Sequence, residues 1–138
     1  MDLLDLLDLL NLLNRRRMTC AAIASGILAA GLLWRFAPLH LPPFLFKYGG
    51  SVLWAAMVYW IVAALLPRLR PRAVGVLAGL IAAMVELSRL YHAPALDAFR
   101  STLAGRLILG KFFSVRNIAA YWLAAFVCAY VDRNRSRI

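Results

Sequence analysis

Of the 138 residues, 64% are hydrophobic and the mean hydropathy is +0.76, whereas a soluble domain is roughly 45–50% apolar. A single water-soluble core of this length cannot bury so much apolar surface, so much of it must face lipid. Sixteen Lys and Arg against six acids give a net charge of +10. The bases fall in short clusters between apolar runs, a pattern that sets membrane topology and argues against a nucleic-acid-binding face.

The chain begins MDLLDLLDLLNLLN, with Asp2, Asp5, Asp8, Asn11 and Asn14 at every third position. At about 100° per residue, an α-helix scatters such a set around its circumference. A 3₁₀ helix would stack it, but long 3₁₀ helices are uncommon. Leucine favours helix, and early Asp residues suit a helix N-terminus. Residues 1–17 are therefore expected as a leucine-rich segment, interfacial or frayed, followed by a membrane domain over 18–138. Met18 is a second candidate start. The stretch 15–33 vaguely resembles a signal peptide, but acids precede its bases and Trp34-Arg35 is a poor processing site.

Four apolar segments follow, with helices expected at about 18–36, 48–66, 73–91 and 112–131. The apolar core of the fourth, 118–131, reaches the roughly 20 residues of a span only by taking in Ser114, Arg116 and Asn117. The runs are too continuous for barrel strands, and backbone in hydrocarbon must satisfy itself internally, which demands helix. The expected fold is an all-α membrane protein: a four-transmembrane-helix bundle with a short interfacial or re-entrant segment before helix four. Arg15–Arg17, the arginines at 68, 70 and 72, and those at 133, 135 and 137 fall on one side, nine in all. The other side holds six bases: Arg35, Lys47, Arg100, Arg106, Lys111 and Arg116. The bias puts both termini in the cytoplasm.

Helix three carries Gly75, Gly79, Ala82, Ala83 and Glu86 along one face. Small residues invite close approach by a neighbouring helix, within the chain or through a partner or second copy at Gly75 and Gly79. Glu86 is then expected to face protein, paired with Arg89 or Arg100, or to serve as a proton relay or acid site. In the connection 91–117, Pro94 is expected to break helix three and 96–104 to form a surface helix with an Asp97–Arg100 pair. The run 103–113, containing Gly105 and Gly110, is expected to be re-entrant or surface-lying. Arg100, Arg106, Lys111 and Arg116 are placed to bind anionic headgroups or phosphate, or to snorkel. His92 is either a group titrating near neutral pH or an inert loop histidine. Trp34, Trp54, Trp60, Tyr48, Tyr91 and Tyr121 suit interfacial belts or helix packing, and Cys20 and Cys128 suit small buried positions. No nucleotide, hydrolase or metal motif is present, so no cofactor or metal is expected.

The order KYGGSVLWAAMVYW, a Pro/Arg turn, VELSRLYHAPALDAFRSTLAGRLILGKFF and NIAAY resembles a bacterial family of small four-helix membrane proteins, domain of unknown function 2809, over about residues 35–126. A weaker likeness runs to the VanZ-like proteins. The resemblance implies a multi-pass inner-membrane protein with no assigned activity. The chain departs from the family pattern at Ser51 and Asn117, where the pattern has Asp, at Arg89, where it has Gln, and at Ala124, where it has Gly. A polar cluster near the outer helix ends would thereby turn from acidic to basic. The expected binding residues are Ser51, Glu86, Arg89, Arg100, Arg116 and Asn117. The leading expectation is a non-enzymatic protein that binds a lipid or membrane partner at its outer face. The alternatives are a lipid-linked phosphate enzyme of VanZ-like type, with Glu86 as acid/base, or proton- or ion-coupled transport through Glu86.

Overall fold

Three of the principal helix starts are written as proline. Pro43, Pro71 and Pro94 each occupy the first helical position of their element, where the missing N–H is harmless and the fixed φ already suits a helix. The structure, a computed structural model, describes residues 2–38, 40–110 and 112–135. The elements are α1 (Leu3–Phe36), α2 (Pro43–Leu65), α3 (Pro71–Ser88), α4 (Pro94–Ser101), α5 (Leu103–Ile108) and α6 (Val115–Arg135). Among the described residues there is no strand.

Several boundaries differ from expectation for local reasons. The leucine repeat does not form a segment of its own: α1 runs unbroken through residues 17 and 18 for 34 residues. A polar residue at every third position spoils amphipathicity but leaves the backbone ladder intact. Pro94 does not end helix three. Helix α3 stops earlier, at Ser88, where Arg89, Leu90 and Tyr91 donate to the carbonyls three residues back, the tightened turn that often closes a helix. Pro94 instead opens α4. The expected surface helix is shorter, and Thr102 separates it from α5, its hydroxyl accepting from Gly105 N–H at 3.0 Å. Helix four begins at Val115, and helix two begins five residues early, at Pro43.

Helices α1, α2 and α3 are each long and apolar enough to cross a membrane. Helix α6 has 21 residues but is bracketed by Arg116, Asn117, Asp132 and Arg133. Helix α2 is central, packing against α1, α3 and α6, while α1 lies along α2. Tyr59, Trp60, Val62 and Ala63 of α2 meet Cys20 and Ala24 of α1 and Val74 and Ala78 of α3 in one core. Ala55, Ala82, Tyr121 and Ala124 form a second. Leu28, Leu80, Met84, Leu123 and Phe126 point outward, exposed, as lipid-facing positions should.

Gly75 and Gly79 serve the chain itself. A Cβ at Gly75 would lie 3.2 Å from the Ala129 Cβ, and one at Gly79 would lie 2.5 Å from the Trp122 ring. The surface expected to receive a partner or second copy is therefore occupied by α6. This close approach of α3 and α6 places the polar cluster described next.

Candidate functional site

Glu86 lies in the last turn of α3 with no solvent exposure. Its carboxylate meets the start of α6. Oε1 accepts from the Ser114 N–H at 2.7 Å and from Asn117 Nδ2 at 3.2 Å. Oε2 accepts from the Tyr121 hydroxyl at 2.7 Å and pairs with Arg89 Nη1. A carboxylate beside the N-terminal amides of a helix is favourably placed in that helix's dipole. Asn117 and Tyr121 stand one turn apart on the same face of α6. The Ser51 hydroxyl extends the network from α2, 3.4 Å from Asn117 Oδ1. The Trp54 ring packs on Tyr121 with centroids 5.4 Å apart, closing the cluster toward α2.

Arg89 does two jobs. It neutralises Glu86, and it holds the loop before α6, with Nε donating to Leu109 O and Nη1 donating to Phe112 O at 3.2 Å. Gly110 lies over it with φ +70°, and a Cβ there would lie 2.7 Å from Arg89 Nη2. Glycine thus meets two demands at once, a left-handed backbone and a guanidinium in close contact.

The structure brings together Ser51, Glu86, Arg89 and Asn117. It does not bring in Arg100 or Arg116. Arg100 is buried, but it donates to Tyr91 O at 2.8 Å, to Asp97 Oδ1 at 3.2 Å and to Ser88 O. It therefore caps the carbonyl end of α3 and makes no pair with Glu86. Arg116 is exposed in the first turn of α6. His92 is exposed, its Nδ1 3.2 Å from Leu90 O. Lys111 and Arg137 lie outside the described residues. Sequence reasoning missed two partners of Glu86, the Ser114 amide and Tyr121. The four-residue spacing of Asn117 and Tyr121 was the available signal.

A second polar cluster, also missed, lies at the opposite end of the bundle. Asp132 of α6, 4% exposed, accepts at Oδ2 from Arg16 Nη2 at 3.1 Å and from the Tyr59 hydroxyl at 2.9 Å. Arg16 Nη1 also donates to Pro67 O at 2.8 Å, and Arg17 Nε to Ala64 O at 3.2 Å. The arginines read as topology markers thus also tie α1 to α6 and to the end of α2. Asp132, a lone acid closing an apolar run, was the signal.

In chemical terms the Glu86 cluster is closed. Each carboxylate oxygen has two partners, and the side chain has no surface. Among the described residues, no group of three His, Cys, Asp or Glu is placed to hold a metal.

An all-helical fold among the described residues, with three apolar helices of crossing length, defines a helical membrane protein. Within that class, the family model described as "Protein of unknown function (DUF2809)" matches residues 40–125, and the chain belongs to that family. The likeness to VanZ-like proteins is not part of that match. No solved structure matches the chain. The matched stretch contains every residue of the Glu86 cluster, while Arg16 and Asp132 fall outside it.

Proposed function

We propose that the chain is a four-span protein of a bacterial inner membrane, with both termini cytoplasmic, which binds anionic lipid headgroups at its outer face through the connection between α3 and α6. Helix α6 supplies the fourth span. Its 21 residues reach ~32 Å, close to the hydrocarbon thickness of about 30 Å, and it packs on α2 and α3 along its length. The observation carrying this reading is the character of the connection. Phe99, Leu103, Ile108, Phe112 and Val115 are exposed beside the exposed bases Arg106 and Arg116. Apolar side chains interleaved with arginines suit the boundary between acyl chains and headgroups. The Glu86 cluster supports this by pinning the segment through Leu109 O, Phe112 O and the Ser114 N–H. Because its carboxylate is fully engaged, Glu86 fits a positioning role better than acid/base chemistry or a proton path.

The test compares retention of phosphatidylglycerol and phosphatidylcholine by the purified protein, using native mass spectrometry. Arg106→Gln with Arg116→Gln is expected to lower phosphatidylglycerol retention about fivefold with the melting temperature unchanged. Equal retention by the double variant and the parent would overturn the proposal.

A further inference from the structure

The opposite end of the bundle holds a cavity of about 410 Å³ lined by Arg16, Thr19 and Cys20 of α1, Trp60 of α2, and Asp132 and Arg135 of α6. We infer that this cavity is a second lipid site, which seats the phosphodiester of an anionic phospholipid from the leaflet on that side. It lies at the other end of the spans from the proposed headgroup surface and shares no residue with it.

Five features point to this occupant. Arg16 and Arg135 line the cavity with a single acid, Asp132, so the local balance favours an anion. Asp132 itself is engaged by Arg16 and Tyr59, so its repulsion of a phosphate is damped. Arg16 still carries a buried Nε with no hydrogen-bond partner. A buried guanidinium N–H left unmatched is costly, and a phosphate oxygen is its natural acceptor. Arg135 stands over the Trp60 ring, 6.0 Å from the centroid, an arrangement that orients a planar guanidinium on the cavity wall. Finally, α1 and α6 both flank α2 without packing along each other. The slot between them, floored by α2, gives an acyl chain a path from the headgroup into the hydrocarbon.

The inference rests on the helices spanning a bilayer, and its test is separable from that of the headgroup surface. Phosphatidylglycerol carrying a photoreactive headgroup is crosslinked to the protein in vesicles, and adducts are mapped by peptide mass. Adducts are expected on residues 15–20 and 128–135, and a phosphatidylcholine probe of the same design should give at least fivefold fewer. Arg135→Gln, which alters an exposed side chain, is expected to lower these adducts about tenfold. Arg16→Lys, which keeps the charge and loses the fork, should lower them about threefold. Arg106→Gln with Arg116→Gln should leave them unchanged. Soluble glycerol phosphate at millimolar concentration should fail to compete. Equal adducts from both lipids, unchanged labelling in Arg135→Gln, adducts spread evenly over the chain, or full competition by glycerol phosphate would each overturn the inference.

Discussion

The two ends of the bundle each bury one carboxylate against an arginine and a tyrosine, yet they are built differently. At the Glu86 end, the arginine comes from the same helix, three residues on, and the other donors come from the start of α6. At the Asp132 end, the arginine is 116 residues away and the tyrosine 73. The first cluster is local and sealed, with Arg89 only 11% exposed; in the second, the Arg16 side chain is 26% exposed beside a cavity. Glu86 fixes how α3 meets α6. Asp132 adds a tie from α1, already packed along α2, to α6. Evidence for the division is that α1 has α2 as its packing neighbour, so the Arg16–Asp132 pair is a direct tie from α1 to α6.

Substitutions should separate the two. The largest loss is expected from Glu86→Ala, which strands a mostly buried guanidinium and three other donors. Breaking a buried pair in this way costs about 3–5 kcal/mol, to be read from equilibrium unfolding in mixed detergent micelles. Hydrogen exchange should then rise at 109–117 and stay unchanged in α1. Asp132→Ala is expected to cost less, about 1–3 kcal/mol, because Arg16 is partly solvated. Its exchange signature should be reversed, with faster exchange in the first half of α1 and none at 109–117. If both variants loosen the same segment, the division fails. Gly79→Ala pushes a methyl group toward the Trp122 ring and should cost about 1–3 kcal/mol by overpacking, seen as a lowered melting temperature. The smallest effect is expected from Leu4→Gln, at a leucine 74% exposed, within about 0.5 kcal/mol of the parent.

Much of the Glu86 cluster was legible in the sequence. The spacing of Gly75, Gly79 and Glu86 on one helical face required a close neighbour and an inward-facing acid, and Arg89 followed within reach. Ser51, Arg89 and Asn117, three of the expected binding residues, do converge around Glu86. What stayed hidden has physical causes. The Ser114 N–H is backbone and carries no residue signature. Tyr121 has the same aromatic character as a belt residue until its hydroxyl finds an acceptor. The Arg16–Asp132 tie is a long-range tertiary contact, and three consecutive arginines read as a topology signal whether or not one of them turns inward. The expected Asp97–Arg100 pair is present, but Arg100 does not reach Glu86, because the helix C-terminus offers it the carbonyls of Ser88 and Tyr91 instead.

Helix α1 has a mechanical consequence. Its 34 residues make a shaft of ~51 Å, about 20 Å longer than the hydrocarbon it would cross. The surplus is the leucine-rich tip, which stands beyond the last residues of α2. Arg16 and Arg17, bonded to Asp132, Pro67 O and Ala64 O, hold the shaft where that tip begins.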